Sequence, residues 1–406
     1  CKATGLGNNS LGRVQTPVLA AISRRYRERE NHISSDSWPI YISLQKDGIL
    51  FKMRRTQDLP DKESATMFFQ DCKLAHQAQI TGISHSVKEI LPPDLLDLTQ
   101  LQKEANIRYG FTASEVYDIA QSLYEKKLIS YPRTSSRYLT EDVFDSLPPI
   151  MACLLSWELF PAAKGTGGID ISNLSRHVIS AEKANVHHAI IITGIRPGNL
   201  SEKEMQVYRL VAGRMLETFM APCRIETTNV EAVCAAQHFK AEQTRIIEAG
   251  WHDVFMRYDM IPTSGYSVKE LPEVEKGDTL NVCGCNMVHK KELPVDPFTD
   301  AELVEYMELN GLGTVSSRTN IIRTLVNRKY IRYSGKYIVP TPKGMFTYET
   351  IRGKKIADTS LTADWEKQLA GLESGMITGQ DFLNRIRTLA KEMTDDIFNT
   401  YSTKEE

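Results

Sequence analysis

The 406-residue chain lacks several features that would assign it to a specialised class of protein. No apolar run reaches the ~18 residues that a helix needs to span a membrane. The first residues are polar and glycine-rich, unlike a secretory signal peptide. No G-x-x-x-x-G-K-S/T loop for nucleotide phosphates is present. We therefore expect a cytoplasmic protein that has no membrane partner and no phosphate loop for ATP.

The chain also lacks the paired C-x-x-C spacing of a zinc ribbon. Its seven cysteines are scattered, and an odd number fits a reducing compartment better than a disulfide framework. Cys283 and Cys285 form an isolated C-x-C pair, which we interpret as two ordinary thiols on a β-strand. No D-x-D-x-D run of acidic residues occurs either, so we expect no metal ligands in this chain.

The formal net charge of −2 shows no overall excess of one sign, but basic residues are concentrated locally. Residues 311–345 contain seven Lys or Arg and no acid. Residues 1–35 contain six basic residues against two acidic ones, a balance of +4. Such stripes suit a groove that follows a phosphate backbone. A solvated helix face is the alternative interpretation.

The order of apolar patterns predicts domains built from separate pieces of chain. Hydrophobic residues make up 41% of the sequence, and the length suggests two to four domains. Alternating apolar residues predict one β-rich domain from 36–87 and 224–262. A helical domain at 88–223 lies between these pieces. Helical segments at 1–35 and 263–406 form an outer domain.

Three segments have strong helical patterns within these domains. Residues 13–30 carry an apolar stripe and a basic last turn. Residues 113–127 have apolar residues along one side, with Ser114 as the predicted N-cap. Residues 201–220 predict a long helix that opens with a capping box at Ser201.

Tyr131 carries the most distinctive chemical pattern, in the run KKLISYPRTSSRYL at 126–139. A phenol is a poor nucleophile at neutral pH because its pKa is near ~10, but cations stabilise the phenolate and the anion that it attacks. Arg133 and Arg137 come soon after it, and guanidinium binds phosphate through two parallel hydrogen bonds. The pattern predicts attack on a phosphodiester. Since the chain has 16 tyrosines, a packing role is the alternative.

Residues 120–131 and 322–333 share a pattern of apolar positions, a basic pair at a helix end and a tyrosine in an extended segment. This order is typical of the recognition helix and wing of a winged-helix unit. Tyr131 is followed by Pro-Arg-Thr, whereas Tyr333 is followed by Ser-Gly-Lys, which predicts a hairpin turn. We therefore interpret Tyr333 as a structural residue and Tyr131 as the residue that takes part in chemistry.

Several motifs resemble those of the type IA DNA topoisomerases, and within them the bacterial topoisomerase III-like branch. The motifs are GRVQTP at 12–17, PDLLDLTQLQ at 93–102, the tyrosine run at 127–139, HHAII at 187–191, GLGTVSSR at 311–318 and LTADWE at 361–366. They are collinear over nearly the whole chain. Ser135 stands where the family usually has Asp, and Ile192 and Val315 stand where it has Pro.

The resemblance implies an α+β multidomain fold that is mainly helical. Winged-helix-like units and a β-rich arch domain would form a clamp or toroid. In the family, an N-terminal Toprim domain with an acidic metal-binding cluster precedes this region, and the chain begins with Cys1 rather than Met. We therefore expect a fragment whose Mg²⁺ is bound by the Toprim domain of the full-length chain.

The resemblance also implies a mechanism and its residues. Tyr131 would cleave one DNA strand through a 5′-phosphotyrosine, a second strand would pass, and the break would be resealed without ATP. Arg133 would bind the scissile phosphate, and His187 would contact it or orient a neighbour, with loop packing as the alternative and His188 as an equal candidate. The residues expected to bind DNA are Arg13, Gln15, Arg137, Thr314, Ser316 and Arg318.

The implied partner is a single-stranded segment of duplex DNA in the nucleoid. We expect these 406 residues alone to bind single-stranded DNA but to relax supercoils poorly, because the metal-binding half of the site belongs to the Toprim domain. A clamp that holds single strands without chemistry is the alternative, although such a clamp does not need Tyr131 followed by Arg133. A tyrosine recombinase fits less well, since its tyrosine would lie near the C-terminus.

Overall fold

The computed structural model describes residues 10–157, 159–160, 169–184, 187–256, 261, 263–373 and 375–402. The α-helices are α1 (Gln15–Glu30), α2 (Lys62–Leu74), α3 (Leu98–Tyr109), α4 (Ala113–Glu125), α5 (Glu141–Asp145), α6 (Leu147–Ser156), α7 (Ala181–Ala184), α8 (Glu202–Phe219), α9 (Asp300–Leu309), α10 (Val315–Asn327), α11 (Pro342–Ile351), α12 (Thr359–Glu373) and α13 (Gly379–Ser402). The β-strands are β1 (Asp36–Ser37), β2 (Ile40–Lys46), β3 (Ile49–Arg55), β4 (Gln77–Ile90), β5 (Cys223–Cys234), β6 (Gln237–Glu248), β7 (Thr279–Met287), β8 (Lys290–Lys291), β9 (Ile331–Ser334) and β10 (Tyr337–Pro340). This mixture of helices and strands confirms the α and β content predicted from the sequence.

Six strands from two distant stretches of chain close a barrel in the order β2-β3-β6-β5-β4-β7. Alternation on β2 explains its place, since Ile40, Ile42 and Leu44 are fully buried while the residues between them are not. Closure leaves the barrel without an unpaired edge. A two-stranded ribbon of β1 and β8 connects the barrel to the helical part of the molecule.

Two tight hairpins of the barrel use left-handed backbone at both central positions. Asp47 and Gly48 connect β2 to β3 with φ of 51° and 80°. Ala235 and Ala236 connect β5 to β6 with φ of 47° and 59°. Left-handed backbone costs a residue with a Cβ roughly 1–2 kcal/mol, so the second turn depends on the long β5–β6 pairing around it.

The strand β7 differs from the sequence interpretation, which treated 263–406 as helical. It pairs with β2 and β4 and completes the barrel. Its alternation is weak because small and polar residues separate the apolar positions Leu280 and Val282. The strand does confirm that Cys283 and Cys285 lie on a β-strand. The division into domains otherwise stays a prediction.

Two helix–turn–helix units share one local plan, and we call residues 98–131 the first unit and residues 300–333 the second unit. The first helix of each ends before a glycine with positive φ, Gly110 at 71° and Gly311 at 63°. The second helix of each, α4 or α10, has 13 residues. Each is followed by a lysine with φ of 59°, Lys127 or Lys329. The parallel seen in the sequence therefore extends over both units.

The N-terminus of α4 corrects the sequence prediction by two residues. Thr112, not Ser114, is the N-cap, and its hydroxyl accepts a hydrogen bond from the Glu115 N–H at 3.2 Å. The Glu115 carboxylate accepts in return from the Thr112 N–H at 2.9 Å. The capping box predicted at Ser201 is confirmed at the start of α8.

The two units pack against each other through buried polar contacts, and we call this contact the seam. Gln102 of α3 donates from Nε2 to Thr319 Oγ1 of the second unit at 3.0 Å, and the same group donates to the Ala113 carbonyl of its own unit at 2.9 Å. The Ala113 N–H donates to the Asp300 carboxylate at 3.1 Å. Buried polar groups need partners, so these bonds fix how the units meet.

Apolar cores lie on either side of the seam. The first unit packs with α6 and α8 around buried residues such as Leu123, Ile190 and Tyr208. The second unit packs with α1 around Val18 and Ile322. Among the described residues, no helix combines the length and apolar character needed to cross a membrane.

Candidate active site

Tyr131 lies in an extended segment, residues 128–134, that runs beside residues 187–193. The Ser130 N–H donates to the Ile191 carbonyl at 2.8 Å, and the Ile191 N–H donates back to Ser130 Oγ at 3.0 Å. The fold thus brings the tyrosine run and the HHAII motif together although they are far apart in the chain.

The Tyr131 ring is partly exposed and sits among aromatic groups. Its centroid lies 4.5 Å from that of the His187 ring and 5.4 Å from that of Tyr124, which meets it edge-on. His187 is itself exposed, and its carbonyl accepts a hydrogen bond from Thr134 Oγ1 at 3.0 Å. The phenol is therefore accessible, and its ring is oriented by packing.

Arg133 is placed by side chains of α4. Its Nη2 donates to Gln121 Oε1 at 3.2 Å, and its guanidinium lies 5.1 Å from the Tyr117 ring centroid. Its Nε is buried and has no hydrogen-bond partner among the residues that the structure describes. An unmet buried donor costs about 1–3 kcal/mol, so this guanidinium retains binding capacity for an anion.

Arg137 forms an ion pair with Asp97. Its Nε donates to Asp97 Oδ2 at 2.7 Å, and Asp97 also caps α3 by accepting from the Gln100 N–H at 2.7 Å. Burial raises the pKa of Asp97, although the cap and Arg137 act in the opposite direction. Beside this pair is a cavity of about 450 Å³ that Ser135 and Lys183 also line.

The structure shows the surroundings of the three residues that depart from the family motifs. Ser135 is exposed at the cavity. Ile192 is fully buried, and its N–H, which a proline would lack, lies 3.2 Å from Met215 Sδ. Val315 is the first residue of α10, a position where proline is favoured but not required. His188, the alternative candidate to His187, has its Nδ1 2.7 Å from the Ala189 carbonyl oxygen.

The residues of the GLGTVSSR motif divide into exposed and buried members. Thr314 and Ser316 are exposed at the N-terminus of α10, with 3.2 Å between their hydroxyl oxygens. Arg318 is buried, and its Nη1 lies 3.0 Å from Thr99 Oγ1 and 3.2 Å from Glu308 Oε1. The structure therefore places Arg318 in the seam, whereas the two hydroxyls are open to a ligand.

Arg13 and Gln15 lie at the start of α1. The Arg13 guanidinium is 5.6 Å from the ring centroid of Trp365, a residue of the LTADWE motif. Gln15 Oε1 accepts from Arg328 Nη1 at 2.7 Å, and its Nε2 donates to the Ser10 carbonyl at 3.1 Å. These contacts bring the first and sixth motifs together and join the first motif to the C-terminal end of α10.

A cleft of about 980 Å³ continues along α1. Its walls include the rings of Tyr306 and Tyr348. Its charged lining comprises the basic residues Arg24, Arg27, Arg352, Lys354 and Lys355 and the acidic residues Glu28 and Asp358. The excess of basic groups next to aromatic rings suits a nucleic acid strand.

Sequence reasoning missed several side chains that place the predicted ones. Asp97 was not singled out, although an Asp three residues before Gln100 at a helix start is an N-cap signal. Tyr117, Gln121 and Tyr124 lie on one face of α4 at helical spacing. The sequence shows this spacing, but it does not show that these three side chains contact Arg133 and Tyr131.

The family profile described as DNA topoisomerase matches residues 2–384 of the chain. The chain belongs to the type IA DNA topoisomerase family. DNA topoisomerase 3 of Bacillus licheniformis is 30% identical over 413 residues, covering 96% of this chain and 56% of the relative. DNA topoisomerase 1 of Methanocaldococcus jannaschii is 30% identical over 401 residues, covering 98% of this chain and 50% of the relative.

A solved structure supports the same fold for this family member. Full-length topoisomerase I from Thermotoga maritima matches with a TM-score of 0.73 and 23% identity, covering 95% of this chain and 63% of that one. The chain spans about half the length of the curated relatives it matches. The sequence-based recognition of the type IA family is therefore confirmed.

Proposed function

We propose that this chain is the part of a type IA topoisomerase that cleaves one DNA strand through Tyr131. The phenolic oxygen attacks the scissile phosphorus, a new P–O bond forms, and the bond to the 3′ oxygen breaks. The leaving oxygen takes a proton, and the phosphotyrosine retains the energy of the ester for resealing. No ATP is consumed, because the reverse attack by the 3′ hydroxyl restores both starting groups.

The observation that carries this proposal is the pairing of an accessible phenol with a guanidinium that has an unused donor. Tyr131 is partly exposed beside His187, and Arg133 comes two residues later with a buried, unpartnered Nε among the described residues. Arg133 stabilises the negative charge that grows on the phosphate oxygens in the transition state. His187 orients the tyrosine ring and offers a ring nitrogen to a phosphate oxygen.

The strand to be cut approaches along α1 in this proposal. The basic cleft is lined by α1 from Pro17 onward, Arg13 and Gln15 lie at the start of that helix, and the exposed hydroxyls of Thr314 and Ser316 lie at the N-terminus of α10. Helix N–H groups and hydroxyls contact phosphate and sugar rather than base edges, so binding would depend weakly on sequence. Arg137 and Arg318 would act indirectly, by holding the loop and the seam in place.

The proposal also covers the roles of the two units and of the barrel. The two units would serve as winged-helix-like modules, and the barrel would form the arch of a clamp that encloses DNA. The target is a single-stranded segment of chromosomal duplex in the cytoplasm. Among the described residues no group of three His, Cys, Asp or Glu is placed to hold a metal ion. In this proposal the Mg²⁺ site belongs to a Toprim domain, as the resemblance to the family implies.

The test is covalent trapping on labelled single-stranded DNA with magnesium, with and without a Toprim-containing protein added. We expect salt-dependent binding by the 406 residues alone, poor relaxation of supercoiled plasmid, and an adduct at Tyr131 only when the Toprim protein is present. Robust relaxation without it would contradict the proposed division of the site. Binding that never yields an adduct, even with the Toprim protein, would favour the non-catalytic clamp.

A further inference from the structure

Three cysteines from distant parts of the chain meet at α2 and the barrel. Cys72 lies on α2 and is fully buried, Cys234 is the last residue of β5 and is also buried, and Cys285 lies on β7 and is partly exposed. All three are free thiols in one apolar cluster. We call them the thiol cluster.

Side-chain contacts place Cys72 at the centre of the thiol cluster. Cys72 and Cys234 belong to one buried apolar cluster, and Cys285 packs against it, so that the Cys72 thiol interacts with both of the others. Cys285 Sγ lies 3.9 Å from the carbonyl oxygen of Phe69, which is one turn before Cys72 on α2. The helix therefore rests against β7 at the level of Cys72 and Cys285.

The thiols differ in exposure, and this difference assigns them different roles. Cys285 is partly exposed, whereas Cys72 and Cys234 are buried, so an oxidant reaches Cys285 first. Hydrogen bonding to Cys72 lowers the pKa of Cys285, and Lys73 adds to this effect although burial opposes it. Since the thiolate is the nucleophile, this shift favours the same assignment.

We propose that the thiol cluster is a peroxide-responsive site in which Cys285 is the reactive thiol and Cys72 resolves it into a disulfide. The Cys285 thiolate attacks one oxygen of a hydroperoxide, the O–O bond breaks, and a sulfenic acid and hydroxide form. The Cys72 sulfur then attacks the sulfenic sulfur, and the hydroxyl group leaves as water. With hydrogen peroxide, two thiols are oxidised, the peroxide is reduced, and two waters are released in all.

The consequence of this bond depends on the position of β7. The strand continues into β8 of the ribbon that connects the barrel to the helical part. A bond between Cys72 and Cys285 fixes α2 to that strand and closes a long loop of chain. The oxidised barrel should therefore unfold at a higher temperature than the reduced barrel, and dithiothreitol should reverse the change.

The test treats the fully reduced chain with one equivalent of hydrogen peroxide and counts thiols after denaturation. The count should fall from seven to five, since seven cysteines are present and two form the bond. Peptide mapping should find Cys72 linked to Cys285. Cys285→Ser should abolish the link, whereas Cys283→Ser, an exposed thiol on the same strand, should leave it unchanged.

Three results would overturn the proposal. The thiol count could stay at seven, the only links could join exposed Cys153 or Cys283 of separate chains, or a bond from Cys72 to Cys234 could persist in Cys285→Ser. Thermal melting of reduced Cys285→Ser provides the folding control, because serine at this partly exposed position keeps the barrel intact. A melting profile for this variant like that of the reduced parent makes any loss of the link attributable to the missing thiol.

Discussion

The two helix–turn–helix units have the same backbone plan but give their tyrosines different partners. Tyr131 of the first unit is partly exposed, and its ring is tilted against that of His187. Tyr333 of the second unit lies on the β9–β10 hairpin and is 36% exposed, but it donates its hydroxyl to the buried Asp300 at 3.1 Å. Partial burial and the Asp300 carboxylate raise the pKa of Tyr333.

The difference arises from the path of the chain after each tyrosine. After Tyr131 the chain continues past Arg133 beside the 187–193 segment, so the phenol stays partly exposed and has a guanidinium two residues away in the sequence. After Tyr333 the chain turns at Gly335 and returns as β10, which directs the phenol toward the seam. Local helix geometry therefore does not decide the chemistry of a unit, whereas the segment after the helix does.

The largest expected effect separates the two phenols. In the complete enzyme with magnesium, Tyr131→Phe should abolish covalent trapping on DNA and leave binding nearly intact, because only the nucleophilic oxygen is lost. Tyr333→Phe should retain trapping and lose about 1 kcal/mol of stability, because one hydrogen bond to Asp300 is lost. Denaturing gels of labelled DNA and anisotropy titrations measure both. Equal loss of trapping in the two variants would erase the proposed distinction.

A smaller effect on the cleavage rate should distinguish the basic residues that follow the two tyrosines. Arg133→Ala should lower the cleavage rate about 10²–10³-fold, the usual loss when one donor to transition-state charge is removed. Lys336→Ala is the matched control, since Lys336 is an exposed cation on the second unit's hairpin. Single-turnover cleavage of a short labelled strand measures both rates. Similar rates for the two variants would argue against a catalytic role for Arg133.

The carboxylate beneath Tyr333 should make the second unit sensitive to pH. Burial raises the pKa of Asp300 from 3.8 to about 6, so the folded chain holds this proton where the unfolded chain has lost it. The resulting stabilisation, roughly 3 kcal/mol at most, is present below the unfolded pKa and is lost as pH rises through about 6.

Asp300→Asn removes this titration and keeps an oxygen that can accept from the Ala113 N–H. Urea unfolding between pH 4 and pH 7 should show a flatter stability profile for the variant than for the parent chain. Glu115→Gln is the comparison variant, since Glu115 raises the pKa of Asp300 only through its charge. An unchanged pH slope in Asp300→Asn would show that the carboxylate does not titrate in this range.

The smallest expected effect tests whether the second helix of each unit ends in the same way. Lys127→Gly and Lys329→Gly should each stabilise the chain by about 1 kcal/mol, because both lysines have left-handed backbone that glycine adopts without strain. Thermal melting measures the gain. Lys126→Gly is the control and should destabilise, because Lys126 has negative φ and pairs with Glu204. A gain at one unit only would mean that the two ends are held differently.

Much of the fold was readable from the sequence where a pattern is local. The Asp47-Gly48 turn and the α8 capping box depend on residue type. The turn at Ala235 and Ala236 does not, since alanine carries no signal for left-handed backbone. Strand β7 was missed because its partners β2 and β4 lie far away in the chain and its own apolar alternation is weak.

The candidate site was predictable only in part for a similar reason. Motif order identified Tyr131, Arg133 and His187, and the fold places Tyr131 beside His187. Arg318 is buried instead of lining a groove, which depends on how two units pack rather than on its own neighbours. The supporting role of Gln121 likewise emerges only when α4 and the segment after it are seen together.

The polar character of the seam bears on how the molecule could open. Amide, hydroxyl and carboxylate groups such as those of Gln102, Thr319 and Asp300 exchange a protein partner for water at little net cost. A contact of equal size made only of apolar side chains would resist separation by about 25 cal/mol for every square ångström of apolar surface exposed to water. Separation of the two units at the seam would therefore expose less apolar surface than separation of such a contact.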